Sequence, residues 1–385
     1  MGSDSLNELR KAIDEKDRAI VKLFCERMAT AAEIAKYKKE NGRAVYDPVR
    51  EREKLTSVEK MAGDEMGNYT KQLYSLMFDL SRSYQNRLIT AEKTVLYRRI
   101  LKAIDETPKL FPKSPTVACQ GTEGAYSTIA AEKFFSSPSI EYVKTFSDVV
   151  HAVDTGYVKY GILPIENSTA GEVSAVYSLL ENNDVFITRE TRVKIDHNLL
   201  VNPGVLLSDV KEIISHEQAI NQCRKFIDSL GREIKITFAA NTAVAAKYVK
   251  DSERKDIAAL SSIRCASLYG LDPIARDVQN SDNNHTRFIC ISKDIEIYPG
   301  SDRTRIIIVT SNTPGALFKV LSKFNALGIN LTSLMSKPIE GRDFEFKFFL
   351  EFDTSIYSEE FADLMQTLDD SCDKFKYLGS YREII

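Results

Sequence analysis

Asn284-His285-Thr286-Arg287-Phe288 runs into Ile289-Cys290-Ile291-Ser292, a polar loop feeding a short apolar run that suits a buried strand. A hydroxyl, a guanidinium and an aromatic ring at a strand entrance suit a small, anionic, ring-shaped ligand. Arg offers a two-pronged grip on a carboxylate, Thr one directed hydrogen bond, and Phe a flat apolar wall. Five residues alone equally describe a loop-to-strand junction whose Arg is solvated and whose Thr caps a turn. The surrounding chain decides between the two.

At 385 residues the chain is too long for one ordinary core, so two or three domains are expected. Lys and Arg number 52 against 55 Asp and Glu. Bulk charge therefore selects neither nucleic acid nor an anionic membrane, and any cationic function must come from local placement. The six cysteines and four histidines lack ligand spacing, so no metal, other cofactor or disulfide framework is expected. Met1-Gly2-Ser3-Asp4-Ser5 has no basic or apolar leader region, and no apolar run approaches membrane length. A cytoplasmic protein is the expectation.

From Leu6 to about Lys38 the apolar positions Leu6, Leu9, Ile13, Ile20, Leu23, Phe24, Ala31 and Ile34 form a helical stripe, the pattern of one buried face. Arg27 and Lys38 lie close to three full turns apart on that stripe, and Arg10 is offset from Arg27 by roughly 100°. Several cations on one apolar face are costly unless an anion meets them, although long basic side chains also snorkel. Asp47 as N-cap, Pro48 at the first position and Glu51 in the first turn open a second helix, with Arg50 following. That helix is expected to end near Met61-Ala62-Gly63. A polar turn Asp64–Asn68 and a third helix from Tyr69 toward Ala103 follow, with Ser81 and Gln85 on one face.

This order of helices, with Arg10, Arg27, Lys38, Asp47, Arg50, Glu51, Ser81 and Gln85 in place, resembles the all-helical chorismate mutases. The resemblance implies an intertwined dimer in which Arg10 reaches into the partner's pocket and these eight residues bind chorismate. The rearrangement needs no nucleophile, only a grip on a compact dianion and stabilisation of charge on its ether oxygen. By resemblance Arg10 and Arg27 hold the carboxylates, Lys38 and Gln85 donate to the ether oxygen, and Glu51 accepts from the ring hydroxyl.

Three prolines between Ile104 and Pro115 mark a boundary, giving a helical domain over 1–103 and a linker over 104–114. Beyond it, strands at Thr116–Cys119, Tyr160–Ser168, Ile187–Val193, His197–Val201, Glu212–Ser215 and Ile234–Phe238 alternate with helices. That alternation predicts an α/β domain with a largely parallel sheet and polar residues along its carboxyl edge. Gly121-Thr122-Glu123-Gly124-Ala125-Tyr126-Ser127 opens a helix, a common way to present amides to an anion, and Asn241-Thr242 opens another. No dinucleotide fingerprint or Walker loop is present.

Gly121-x-x-Gly124-x-Tyr126-Ser127, Pro164-Ile165-Glu166-Asn167-Ser168, Ser215-His216-x-Gln218-Ala219, Tyr269-Gly270-Leu271 and Asn284-x-Thr286-Arg287-Phe288 occur in one order that resembles the prephenate dehydratases over 115–296. Thr122 stands where that family more often has proline. The resemblance implies two α/β lobes like the periplasmic binding proteins. Prephenate would meet Ser127, Glu166, Asn167, Ser168, Ser215, Gln218, Thr242, Thr286, Arg287 and Phe288. Thr286 would assist the departing hydroxyl as a donor or relay, and Arg287 would supply charge directly or by positioning Thr286.

Residues 302–385 read as βαββαβ: strands at Arg303–Thr310, Asn330–Ser336, Phe344–Asp353 and Lys376–Tyr381, with helices to Leu327 and around Ser358–Leu368. That order resembles an ACT domain, a dimerising regulatory module. Pro314-Gly315-Ala316-Leu317 matches its phenylalanine-binding turn, whereas Met335-Ser336-Lys337-Pro338 departs from the usual Glu-Ser-Arg-Pro, a change that is not conservative. The whole chain thus reads as a multidomain α and α/β homodimer or higher oligomer. Its expected work is chorismate to prephenate to phenylpyruvate, with L-phenylalanine as inhibitor. The alternative is a two-lobed small-molecule-binding protein whose helices and ACT module serve assembly.

Overall fold

Between Ser3 and Glu40 the chain has neither Gly nor Pro, and in the computed structural model this run is one unbroken helix, α1 (Gly2–Glu40). The structure describes residues 2–89, 94–339, 341 and 345–385. Asp47 Oδ1 accepts from the Arg50 amide at 3.0 Å and starts α2 (Pro48–Ile89). Gly63, at φ 74°, is the non-helical residue inside α2 and folds it into two arms. Lys71 on one arm pairs with Glu59 on the other at 2.7 Å, and Arg82 with Glu51. The expected polar turn Asp64–Asn68 is therefore helical, because one residue with positive φ suffices to reverse the chain. The third helix is described as far as Ile89 and does not run unbroken to Ala103, since Thr94 is not helical. Thr90–Lys93 lie outside the described residues, and Thr94, accepting from the Tyr97 amide at 3.2 Å, caps a separate α3 (Val95–Glu106).

The chain divides into two compact units. The first holds Met1–Arg98, Thr310–Ile329 and Glu359–Asp373, and so includes α11 (Ala316–Ala326) and α12 (Glu359–Ser371). No helix among the described residues is long and apolar enough to cross a membrane.

The second unit holds two sheets. The chain enters through β1 (Thr116–Gln120), α4 (Tyr126–Phe134), β2 (Ser139–Val143), α5 (Phe146–Asp154), β3 (Tyr160–Asn167), β4 (Gly171–Glu172), α6 (Ser174–Asn182) and β5 (Phe186–Lys194). It crosses to β6 (Asn198–Val201), β7 (Glu212–Ser215), α7 (Glu217–Gln222), α8 (Arg224–Ser229), β8 (Lys235–Phe238), α9 (Thr242–Ser252), β9 (Ile257–Ser261), α10 (Ile263–Tyr269) and β10 (Asp272–Ala275). It then returns as β11 (His285–Ser292), and β12 (Arg303–Val309), β13 (Asn330–Pro338), β14 (Phe346–Asp353) and β15 (Lys374–Ile384) follow. Phe344, where the expected third C-terminal strand opens, lies outside the described residues.

Two α/β lobes are thus present, but their sheets are mixed, not largely parallel. β1 runs parallel to β2 and β3, while β11 lies antiparallel between β3 and β5. The second sheet, β10-β6-β9-β7-β8, likewise mixes both senses. The cause is topological: β11 comes back from the second lobe and inserts against the direction of its neighbours. Cores form where strands lose water on both faces, as at Ile162, Leu163 and Ile165 of β3.

The C-terminal strands do not close a sheet of their own. β15 pairs in parallel with β5, Glu383 opposite Glu190, so β13-β14-β12-β15 continues into β5-β11-β3-β1-β2. Gly379 permits this join: a Cβ there would sit 2.2 Å from the Ile187 carbonyl oxygen, closer than any side chain tolerates.

Candidate active sites

The carboxyl ends of β1, β3, β7 and β8 face a cavity of about 570 Å³, as the crevice rule for open α/β sheets requires. Ser127, Asn167, Gln218, Thr242, Thr286 and Phe288 of the sequence-predicted set all line it. Thr286 pairs in register with Asn167 across the β11–β3 ladder, which sets their side chains side by side. Thr242 begins α9, whose N-cap Asn241 accepts from the Val244 amide at 2.8 Å, leaving first-turn amides for an anion.

Hydrogen-bond direction can be traced through this wall. Asn167 Oδ1 accepts from the Thr169 and Ala170 amides at 3.1 and 2.9 Å and from the Thr169 hydroxyl at 2.7 Å. Its other end must be the donor, and Nδ2 gives to Asn284 Oδ1 and to Thr286 Oγ1, both at 2.9 Å. Asn284 Nδ2 then donates to Gln222 Oε1 at 3.0 Å, while Gln222 Nε2 donates to Thr169 Oγ1 at 2.8 Å. Because Gln222 Oε1 accepts only, His197 Nε2, 3.0 Å away, must carry a hydrogen. Two consequences follow. Thr286 accepts from Asn167 and keeps its own proton to give. His197 is left with a bare, buried Nδ1 that has no partner.

Four predicted residues do not line this cavity. Ser215 is buried and donates to the Leu260 carbonyl at 2.7 Å, and Ser168 pins the loop by donating to the Asn283 carbonyl at 2.8 Å. Arg287 and Glu166 belong to the opposite face of β11 and β3. Strand alternation puts Thr286 and Phe288 on the cavity side of β11 and Arg287 on the other, and the register shift, with Ile165 the extra residue on β3, sets Pro164 opposite Phe288. There Arg287 meets Glu166 at 2.9 Å, Glu190 at 2.6 Å and Glu351 of β14 at 2.8 Å. Arg305 of β12 joins both Glu190 and Glu351, and Arg303 lies 3.3 Å from Glu190. Burial opposes ionisation of both carboxyls. At Glu351 the guanidiniums of Arg305 and Arg287 outweigh it and hold the carboxyl down to about 2, while at Glu190 burial prevails and the carboxyl lies above its usual range.

In the helical unit Arg27 is half-buried, 5.4 Å from the ring centre of Phe78. Gln85 Nε2 donates to Ser81 Oγ at 3.1 Å, so Arg27, Ser81 and Gln85 gather around Phe78. Arg27 Nη1 and Gln85 Oε1 are buried without hydrogen-bond partners, and such orphans mark a place for a polar ligand. Lys38 donates to the Val45 carbonyl at 2.6 Å, and Arg82, which sequence reading missed, engages Glu51 and Asp79. Asp47 serves as a helix cap, and Arg50 and Arg10 are exposed. The expected buried face of α1 is not buried within one chain: Leu6, Leu9, Ile13, Ile20 and Leu23 are 49–63% exposed. By rise per residue α1 spans about 58 Å, while the longer arm of α2, residues 64–89, spans only about 39 Å, so part of α1 has nothing in its own chain to lie along.

Gln222, Asn284, Thr169 and His197 also escaped the sequence reading as site residues. Their amide, hydroxyl and imidazole side chains are individually unremarked in sequence and become a site only through pairings across 25 to 117 positions.

A family model described as Chorismate mutase type II matches residues 9–86, and one described as Prephenate dehydratase matches residues 117–296. A bifunctional chorismate mutase/prephenate dehydratase of Escherichia coli is 30% identical over 97% of this chain and 95% of its own length. An arogenate dehydratase of Petunia hybrida is 34% identical over 69% of this chain and 71% of its own. Among solved structures, a prephenate dehydratase from Arthrobacter aurescens in complex with L-Phe superposes with a TM-score of 0.64 at 27% identity. It covers 69% of this chain and 89% of that one.

The ion cluster makes a direct prediction. Arg287→Met leaves Glu190 and Glu351 with Arg303 and Arg305 alone in a buried setting, and urea unfolding at neutral pH is expected to show a loss of about 3–5 kcal/mol. Because the folded carboxyl of Glu351 titrates below its ordinary 4.5, its stabilising share is complete above that pH and fades as pH falls toward 2. A loss under about 1 kcal/mol would show that the cluster is not a structural anchor.

Proposed function

The chain belongs to the family of bifunctional chorismate mutase/prephenate dehydratases, which in phenylalanine biosynthesis rearrange chorismate to prephenate and convert prephenate to phenylpyruvate, and from that premise we propose how its residues divide the two reactions.

The mutase pocket lies around Arg27, Ser81 and Gln85. Arg27 grips a carboxylate with the Nη1 that lacks a partner, and Gln85 and Lys38 donate to the ether oxygen where negative charge grows. Glu51 takes the ring hydroxyl. Substrate entry must exchange the Lys38–Val45 and Glu51–Arg82 bonds for bonds to the dianion. Arg10 serves the partner's pocket in a homodimer, with Asp47 and Arg50 at the rim. What supports the dimer is the overhanging, apolar and exposed first half of α1, which a second copy would cover.

The dehydratase site is the cavity at Thr286. Prephenate, a dianion, plus one proton gives phenylpyruvate, CO₂ and water. The C–CO₂⁻ bond breaks, its electron pair aromatises the ring, and the ring C–O bond breaks with the oxygen accepting a proton. Thr286, whose proton Asn167 leaves free, donates to that departing oxygen. Ser127, Gln218, Gln222 and Thr242 hold the substrate's oxygens, and Phe288 faces its ring. The hydrogen bond that Thr286 Oγ1 accepts from Asn167 Nδ2, which leaves the threonine its own proton to give, is the single observation that supports the dehydratase reading. A cytoplasmic location is part of the same reading.

Residues 302–385 form a regulatory ACT module. Gly315, at φ 81°, caps α11 and leaves first-turn amides for the carboxylate of L-phenylalanine beside Pro314, Ala316 and Leu317. Lys337, in the motif that departs from the family pattern, donates to the Ser174 carbonyl at 3.1 Å.

Three outcomes test these assignments. With chorismate supplied, Lys38→Ala is expected to lose mutase turnover by about 100-fold while prephenate is still dehydrated at the wild-type rate. Thr286→Ala reverses the pattern, accumulating prephenate, and parallel losses of both activities in either variant contradict separate sites. L-phenylalanine titrated into the dehydratase assay is expected to lower its rate, and an unchanged rate up to millimolar concentration removes the effector assignment.

A further inference from the structure

Among the described residues that line the dehydratase cavity there is no Lys and no Arg. Arg287, the expected counter-charge, faces the buried glutamates on the far side of β11. The substrate nevertheless brings two carboxylates into a cavity whose one carboxylate, Glu172, repels them. Neutral donors and helix amides stabilise an anion but do not neutralise it. The groups of this lining that can become cations are two imidazoles, His197 and His216. His216 is committed: its Nδ1 accepts from the Gln218 amide at 3.2 Å and caps α7, so a proton there would break the cap. His197 has no such commitment. Its Nε2 hydrogen is fixed on Gln222 by the amide chain, and its Nδ1 is buried, empty and free to take a proton.

We propose that His197 takes up a proton when the dianion enters and, as an imidazolium, pairs through Nδ1 with one of the substrate's carboxylates. This rests on the dehydratase reading and adds a substrate-binding residue to it. The proton comes from solvent and stays on nitrogen; no covalent bond changes. The surroundings suit a group that is neutral when empty and charged when filled. The ring packs edge-on against Tyr126, with centroids 6.3 Å apart. Asp196, next in the chain, is already paired with Lys194 at 2.8 Å, and burial pushes the empty imidazole below its ordinary range. A carboxylate placed beside Nδ1 reverses that balance by supplying the missing acceptor and the opposite charge. Proton uptake is then thermodynamically linked to binding, and affinity must fall as pH rises.

The sign fixes the experiment. Free His197 titrates below its usual value near 6.5, so the whole window from pH 6.5 to 8.5 lies above it. Steady-state dehydratase kinetics of the full-length protein are expected to show kcat/KM falling about tenfold per pH unit there. The change lies in KM, and kcat is nearly flat. His197→Gln keeps a donor toward Gln222 but has no second nitrogen to protonate. Its kcat/KM is expected to be independent of pH and at least tenfold below wild type at pH 6.5, with mutase turnover unchanged. Independently of that variant, prephenate titrated calorimetrically into Thr286→Ala in phosphate and in Tris is expected to show uptake of close to one proton. A flat wild-type kcat/KM, the wild-type slope persisting in His197→Gln, or equal heats in the two buffers each overturn the proposal. Absence of wild-type dehydratase turnover would instead overturn the reading beneath it.

Discussion

Two backbone amides, those of Thr169 and Ala170, fix Asn167 Oδ1 as an acceptor, and the polarity of the dehydratase wall follows from that one constraint. An amide side chain is ambiguous until something that cannot turn around addresses it. Backbone N–H groups cannot turn around, so the donor end of Asn167 is set, then Asn284, then Gln222, and finally the tautomer of His197. In the empty cavity no charged group takes part in this chain of hydrogen bonds. The wall is a preorganised set of dipoles, the kind of environment that stabilises developing charge without rearranging during the reaction.

The other face of β11 is built on the opposite principle. Arg287, Arg303 and Arg305 meet Glu190 and Glu351 across four strands of one continuous sheet. Buried charges are expensive individually and tolerable only when fully paired, so this cluster fixes where β11 lies relative to β5 and β14. Gly379, at the join of β15 to β5, lets the sheet continue between them. One strand thus has a neutral face on the cavity and a charged, anchoring face, with adjacent residues Thr286 and Arg287 on the two sides.

What sequence made legible was local. Pro48 after Asp47 starts a helix, strands at Tyr160 and Glu212 have unbroken apolar runs, and motif order identifies both catalytic regions. What it hid was long-range. Alternation along β11 already sets Arg287 on the face opposite Thr286, but the glutamates of β5 and β14 that hold it there, Glu190 and Glu351, lie far away in the chain. The amide chain through Gln222 and Asn284 joins residues distant in sequence that carry no individual signature. The apolar stripe of α1 marks a face that seeks cover, but periodicity does not say which chain supplies it, and within one chain Leu6, Leu9, Ile13, Ile20 and Leu23 stay exposed. Gly63 likewise gave a turn where a longer polar loop was expected, since one permissive residue reverses the helix.

The account stands most directly on the direction of the Asn167–Thr286 hydrogen bond. Asn167→Asp keeps the shape and replaces the donating amide nitrogen with an accepting oxygen, which would claim the Thr286 proton for itself. Dehydratase kcat in that variant is expected to fall by about 100-fold or more, the range that positioned proton donation supplies, with mutase kcat and thermal unfolding close to wild type. A variant that folds and turns prephenate over at the wild-type rate would contradict the assignment of Thr286 as the donor.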